Sequence, residues 1–132
     1  MKKAIEYYEE AASKGNSKSQ YSMGKIYQKG IAPIEKDLNK AIQYYEKSAD
    51  NGNVKAMFTL GGIFLRGDGD DNNPQRAIYY FGLASKNGDL NSLVSLAYMY
   101  QHGIHVIQNV EMAISLYEQS LEMGHSKSAT IL

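Results

Sequence analysis

The feature that most constrains this chain is an internal repeat with a period of 36 to 37 residues. An alanine recurs at steps of 37, 36 and 36 residues, as Ala4, Ala41, Ala77 and Ala113. A glycine eleven positions further on recurs with the same steps, as Gly15, Gly52, Gly88 and Gly124. A period of this length is typical of stacked supersecondary units, so it decides the fold class before any single element is assigned.

Each copy contains two blocks in which small and apolar residues recur at helical spacing. We call the block with the recurring alanine helix B and the other block helix A. Helices B are predicted near 2–14, 38–51, 74–87 and 110–123, and helices A near 17–29, 54–66 and 90–102, with a fourth from Ser126. The pattern predicts one domain over 1–132, with helix pairs near 2–29, 38–66, 74–102 and 110–132 and incomplete units at both ends.

Residues that cap helices follow the same period. An Asx side chain can accept a hydrogen bond from a free N–H of a first helical turn. Such residues precede helices B as Asp37, Asn73 and Asn109, and precede helices A as Asn16, Asn53 and Asp89. The recurring glycine is predicted to end each helix B, including Gly124 in the last copy, where His125 is a weaker cap. The short turn between B and A makes the two helices antiparallel.

Composition excludes several classes of partner and chemistry. Fourteen Lys and Arg balance fourteen Asp and Glu, so no net field attracts a phosphate backbone, and nucleic acid is not expected as a partner. The absence of cysteine removes disulfides and thiolate chemistry. The N-terminus has no apolar run of signal-peptide length, and no segment approaches the roughly 20 apolar residues of a membrane span. Where the protein acts is left open by the sequence.

Candidate catalytic and metal sites are weak. His102 and His105 lie three residues apart but straddle Gly103, and no acidic residue or cysteine stands beside them to complete a metal site. Segment 67–73, GDGDDNN, begins like a calcium loop but lacks its glycine at the sixth position and its glutamate at the twelfth. No catalytic triad or phosphate-binding glycine loop can be assembled. We therefore predict no catalytic residue, no metal and no cofactor, and a protein that is not an enzyme.

The order of these residues resembles the Sel1-like repeats, a branch of the tetratricopeptide-like helical repeats. Their signature is Ala-x3-Leu-Gly-x2-Tyr-x2-Gly, a loop, and Asp/Asn-x2-Lys-Ala-x2-Tyr-Tyr-x2-Ala-Ala-x2-Gly. Residues 56–88 match it as AMFTLGGIFLRGDGDDNNPQRAIYYFGLASKNG, and the resemblance covers essentially the whole chain. It implies an all-α fold, a right-handed α-solenoid of antiparallel helix pairs, and a role as an adaptor between proteins. Ala97 departs from the pattern, where helix A usually has glycine.

The resemblance also implies where a partner binds, because in such arrays helices A line the concave side. Binding residues are then those of helices A that lie off the core stripe. They are Lys18, Tyr21, Lys25 and Gln28 in the first copy, Lys55, Phe58, Gly62, Leu65 and Arg66 in the second, and Asn91, Val94, Tyr98 and Gln101 in the third. An apolar strip with a basic rim suits a helix or extended peptide of acidic character. The alternative is that the apolar members pack against neighbouring helices.

Two functions follow from this surface. The first is a protein–protein interaction scaffold that binds a partner peptide or helix on the concave face of helices A. The second is an inhibitor or immunity-type protein that occludes a partner enzyme through a broad interface. Because a solenoid buries each unit against its neighbours, incomplete ends expose core residues. We expect the chain to belong to a longer array or to associate end to end.

Overall fold

A computed structural model describes residues 2–66, 73–104 and 106–131, with side chains described for 3–66, 73–104 and 106–124. Within these ranges the chain forms seven α-helices and no strand. They are α1 (Lys2–Ser13), α2 (Ser17–Lys29), α3 (Leu38–Asp50), α4 (Val54–Arg66), α5 (Pro74–Lys86), α6 (Leu90–His102) and α7 (Val110–Ile131). Helices B are α1, α3, α5 and α7, and helices A are α2, α4 and α6. The predicted all-helical repeat fold is confirmed.

All six predicted N-caps are present. The side-chain oxygen of each cap accepts a hydrogen bond, at 2.9 to 3.2 Å, from the backbone N–H of the residue three positions later. The six caps are Asn16, Asp37, Asn53, Asn73, Asp89 and Asn109. Gly15, Gly52 and Gly88 hold φ angles of 89° to 90° in the turns from B to A, a conformation that side-chain-bearing residues rarely adopt. Local chemistry therefore sets each tight turn independently of the packing around it.

The prediction for Gly124 is wrong. This glycine lies inside α7, which continues to Ile131 as one helix instead of ending and turning back into a fourth helix A at Ser126. The pair predicted near 110–132 is thus a single element. The physical reason is the residue that follows, because His125 offers no carboxylate or amide oxygen of the kind that Asn16, Asn53 and Asp89 use to start a new helix.

Each helix packs against its neighbours in the chain, and the more extensive contacts join a helix A to the helix B that follows it. One buried core extends over α3 to α6, and includes Tyr45, Leu60, Phe64 and Phe81. A second cluster joins α1 to α2. α4 also contacts α6, the next helix A.

Helix A approaches the following helix B most closely at a glycine that faces an aromatic ring. A Cβ atom on Gly24 would lie 2.6 Å from the ring of Tyr45, and one on Gly61 would lie 2.6 Å from the ring of Phe81. Both rings are fully buried. The absence of a side chain at these two positions is therefore what allows the two backbones to come together. In the third copy Ala97 takes this position, and the corresponding ring, Tyr117, is only half-buried.

The same rings meet helix A at a second point, and the chemistry of the two partners changes together. The Tyr45 hydroxyl donates to the Gln28 amide oxygen at 2.6 Å, and the Tyr117 hydroxyl donates to that of Gln101 at 2.9 Å. In the middle copy the repeat-equivalent residues are Phe81 and Leu65, which have no group to donate or accept. Each copy thus keeps a matched pair. In the first copy, where Tyr45 is buried, a donor without its partner would be costly.

Gly61→Ala tests the close approach. The added Cβ would overlap the Phe81 ring, so we expect a loss of about 1–3 kcal/mol in the free energy of unfolding. Gly82→Ala is the matched control, because Gly82 lies inside α5 and a Cβ there meets nothing within 4 Å. That change should stabilise the protein by roughly 0.5–1 kcal/mol through helix propensity. Urea denaturation of both variants checks this, and equal stabilities would contradict the packing described.

Alkaline pH tests the burial of Tyr45. Burial raises the pKa of its phenol, and Tyr21 adds to the rise, so the folded protein keeps this proton at a pH where the unfolded chain releases it. The corresponding stability is present below the unfolded pKa of about 10 and is lost as pH rises above it. Tyr45→Phe should lower stability by about 1 kcal/mol at neutral pH, because Gln28 loses its donor.

The same variant should lose less stability than the native protein above pH of about 10. Urea denaturation at a series of pH values measures both effects, with Tyr98→Phe as a control at an exposed tyrosine. If the free energies of unfolding of the native protein and of Tyr45→Phe fall in parallel as pH rises, Tyr45 is not the cause of the loss of stability at alkaline pH.

Candidate functional site

The thirteen predicted binding residues lie on α2, α4 and α6, and none of them is buried. They form four columns across the array, each of repeat-equivalent residues. The columns are Lys18, Lys55 and Asn91; Tyr21, Phe58 and Val94; Lys25, Gly62 and Tyr98; and Gln28, Leu65 and Gln101. Arg66 lies at the end of α4, one turn beyond Gly62. The contact between α4 and α6 places two successive helices A side by side.

An open groove of about 580 Å³ lies between the first turns of α2 and α4. It brings together three of the predicted residues, Lys18, Tyr21 and Lys55, and its remaining lining is Ser17, Ser22, Gly52, Asn53 and Val54. Lys18 and Lys55 are the second residues of their helices. A cation in a first turn opposes the helix dipole, which costs roughly 0.3–1 kcal/mol. This arrangement occurs twice, at equivalent positions of the repeat.

The aromatic and apolar residues of the surface differ in how far the core holds them. The Tyr21 ring lies 5.6 Å from Tyr45, and the Phe58 ring lies 5.8 Å from Phe81, so both are partly anchored in the core. Leu65 also packs against that core. Val94 and Tyr98 are instead exposed. Tyr21, Phe58 and Leu65 therefore pack in part against neighbouring helices, which was the alternative to a binding role. The exposed apolar residues of this surface lie on α6.

Polar members of the surface also differ in their contacts. The Lys25 ammonium group lies 5.5 Å from the centre of the Tyr21 ring, within cation–π range. The amide oxygens of Gln28 and Gln101 accept hydrogen bonds from the tyrosines of the following helices B. The sequence predicted that these two glutamines lie on the concave side of helices A. It did not predict the hydrogen bonds, because they depend on which helix B residue packs against each glutamine.

Two further columns on the same helices were missed. One carries only hydroxyl residues, Ser22, Thr59 and Ser95. The other carries basic residues at the helix ends, Lys29, Arg66 and His102, of which only Arg66 was predicted. The Thr59 and Ser95 hydroxyls donate to the backbone carbonyls of Lys55 and Asn91, four residues earlier. The His102 ring lies 4.4 Å from that of Tyr98. The repeat alignment contains the signal for both columns, since their members are spaced by 37 and 36 residues.

Charge is divided between the two types of helix although the chain as a whole is neutral. Helices A carry five of the 14 Lys and Arg residues and none of the 14 Asp and Glu residues. The five cations are Lys18, Lys25, Lys29, Lys55 and Arg66. Within the described ranges, acidic residues lie instead on α1, α3 and α7, and as Glu35, Asp37 and Asp89 between helices. The surface formed by helices A is therefore basic.

The described ranges contain neither a group of metal-binding side chains nor a membrane-spanning helix. No three His, Asp or Glu residues among them lie close enough to hold a metal ion. Residues 67–72, which contain most of the calcium-like segment, and His105 lie outside the described residues. In the part of the chain that is described, no helix combines the length and the hydropathy that a membrane crossing requires.

Comparison with known proteins agrees with this geometry. The profile of the Sel1 repeat family matches residues 1–16, 17–53, 54–89 and 91–125. A protective antigen of uropathogenic Escherichia coli, c5321, which displays an SLR fold, superposes with a TM-score of 0.83 at 32% identity over 91% of this chain and 26% of its own. A Sel1 repeat protein from Oxalobacter formigenes gives a TM-score of 0.78 at 28% identity, over 92% of this chain and 50% of its own.

A curated rat protein, DAP3-binding cell death enhancer 1 of Rattus norvegicus, is 39% identical over 51 residues. That match covers 39% of this chain and only 10% of the rat protein, so the likeness concerns repeats within a much longer chain. Sel1-repeat proteins generally mediate protein–protein interactions and are typically not enzymes. Because the four matched repeats span most of the sequence, this chain belongs to the Sel1 repeat family.

Proposed function

We propose that this protein is a non-enzymatic scaffold whose helix A surface binds an acidic segment of a partner protein. The observation that carries the proposal is the division of charge, because helices A hold five cations and no carboxylate. A surface of one sign attracts a segment of the opposite sign and disfavours others. The thirteen residues predicted from the sequence are the proposed contact residues.

A contact between two helices A supports the choice of surface. α4 contacts α6, as expected for two helices on the inner side of a solenoid. A concave surface lets several helices contact one extended segment or one helix. Basic residues concentrate on α2 and α4, whereas the exposed Val94 and Tyr98 lie on α6. A suitable ligand is acidic towards one end and apolar towards the other.

The positions of Lys18 and Lys55 support a binding role over a structural one. Both oppose the dipole of their own helix, and neither has an ion pair among the described residues. Both also line the groove between α2 and α4. A carboxylate in that groove would meet two lysines and the N-terminal N–H groups of two helices. Such an arrangement costs some stability in the free protein and is compensated when an anion is bound.

Peptide selection provides the experiment, because the partner is not identified. The immobilised chain is used to select from phage-displayed random peptides of fixed length. We expect enriched peptides to combine Asp or Glu with aromatic or aliphatic residues, and their binding to weaken as salt is raised. Enrichment of basic peptides would contradict the proposal. An inhibitor that occludes an enzyme through a broad interface would select no short peptide.

Lys18→Glu combined with Lys55→Glu tests the groove. We expect the selected acidic peptide to bind at least about tenfold more weakly, a change of ~1.4 kcal/mol in binding free energy. Stability should be unchanged or slightly higher, since the new carboxylates suit the helix N-termini. The control is Lys3→Glu with Lys86→Glu, the same charge change at exposed positions of α1 and α5. Equal loss in both variants would show a general charge effect, not a site.

Val94→Ser combined with Tyr98→Ser tests the apolar part of the surface. Both side chains are exposed, so the free energy of unfolding should change by less than about 0.5 kcal/mol. Peptide binding should fall by about tenfold, because the change removes the exposed apolar anchors. Fluorescence anisotropy and urea denaturation measure the two quantities. Unchanged binding would remove α6 from the contact surface.

A further inference from the structure

The outward face of α5 departs from the pattern of the other helices B. Four of its residues, Gln75, Tyr79, Gly82 and Lys86, follow one another at steps of four, three and four positions. Such steps place side chains in one row along a helix. Tyr79 is 61% exposed, and the opposite face of the helix is buried against α4 and α6. We call these four residues the α5 stripe.

The repeat shows how unusual the α5 stripe is. At the same positions each of the other helices B carries two or three carboxylates and no aromatic residue. These positions are Lys2, Glu6, Glu9 and Ser13 in α1, Asn39, Gln43, Glu46 and Asp50 in α3, and Glu111, Ser115, Glu118 and Glu122 in α7. Gly82 thus stands where all three other copies have glutamate, and Tyr79 stands where they have a polar residue. The α5 stripe combines a large ring with a bare stretch of backbone and has no carboxylate.

Neither change is explained by packing inside the chain. A Cβ atom on Gly82 would meet nothing within 4 Å, whereas one on Gly24 or Gly61 would overlap a buried ring. Glycine inside a helix is destabilising relative to alanine, and it allows another group to come close to the backbone. The Tyr79 ring lies 5.1 Å from that of Tyr80, but most of Tyr79 faces solvent. Both residues are therefore open to contact from outside the chain.

The α5 stripe is complementary to itself when two copies lie antiparallel. Tyr79 and Gly82 are centred on the same point of the helix as Gln75 and Lys86. A twofold axis through that point places each Tyr79 on Gly82 of the other copy, and each Lys86 opposite Gln75 of the other copy. The ammonium group can then donate to the amide oxygen. A parallel pair would instead bring the two lysines together and leave the glycines facing each other.

The chain already joins its own helices through a ring on a glycine. Gly24 receives the ring of Tyr45, and Gly61 receives that of Phe81, each across the contact between two helices. Charge favours α5 over the other helices B for the same contact between copies. A twofold pair of α1, α3 or α7 would bring glutamates of the two copies together, and like charges at a contact are repulsive.

We propose that the α5 stripe is a contact surface for a second copy of this chain, packed antiparallel, with the Tyr79 ring of each copy on Gly82 of the other. One helix from each copy buries less than the roughly 800 Å² per partner of a typical stable interface, so the dimer is weak and forms at high protein concentration. The proposal is independent of the proposed function, because the stripe lies on a helix B and faces away from α4 and α6.

Sedimentation equilibrium of the full chain measures the association. We expect a monomer–dimer equilibrium with a Kd on the order of 100 μM. Tyr79→Ser and Gly82→Glu should each weaken it at least about tenfold, the second by restoring the residue of the other three copies. Both positions are outside the core, so the helical circular dichroism should stay native. Tyr7→Ser, at an exposed tyrosine of α1, is the matched control and should leave the Kd unchanged.

Cross-linking tests the antiparallel register, because the chain has no cysteine of its own. Chains that carry Gln75→Cys are mixed with chains that carry Lys86→Cys, and the mixture is oxidised. We expect the mixed disulfide to form at least about tenfold faster than either symmetric one. In the antiparallel pair two cysteines at position 75 lie about 16 Å apart along the helix axis, which is beyond the reach of a disulfide.

Three results would overturn the proposal. The first is a chain that stays monomeric up to about 1 mM. The second is an association that Tyr79→Ser and Gly82→Glu leave intact, or that Tyr7→Ser weakens as much, which is the outcome for the end-to-end association expected from the sequence. The third is symmetric disulfides that form as fast as the mixed one, which would indicate a parallel or random encounter.

Discussion

The contact between a glycine of helix A and an aromatic ring of the following helix B sets the spacing of the array. Gly24 on Tyr45 and Gly61 on Phe81 leave no room for a Cβ atom, so these helices pack at the distance that a bare backbone permits. The Tyr45 ring then reaches past Gly24 to Gln28, one turn further along helix A. Helix–helix geometry, and with it the arrangement of the surface of helices A, follows from this contact.

A neutral chain can still present strong local charge. The balance of 14 basic and 14 acidic residues means that no net field attracts a phosphate backbone, but the balance is an average over two types of helix. Helices A hold only cations and α7 holds only glutamates over residues 110–124. Because charges in contact with a partner matter more than charges beyond a Debye length, each surface is governed by its own helices.

Much of the fold could be predicted from the sequence, because its determinants are local. The six Asx caps act on N–H groups three residues away, and the glycine turns require only their own backbone angle. Gly124 was misjudged because the glycines that end the other helices B are each followed by an Asx residue that caps the next helix, whereas Gly124 is followed by His125. The candidate surface was predictable as a set of positions. The hydrogen bonds of Gln28 and Gln101 were not, since they join residues 17 and 16 positions apart across a loop.

The columns on helices A bear on the spacing of groups that a bound partner would need. Each copy contributes one row with the same six positions, and successive rows follow the period of the repeat. Equivalent side chains are therefore repeated at a regular interval along the surface of helices A. If the proposed function holds, a partner would be recognised by the interval between its groups as well as by their chemistry, and one inserted residue would put its acidic and apolar groups opposite the wrong rows.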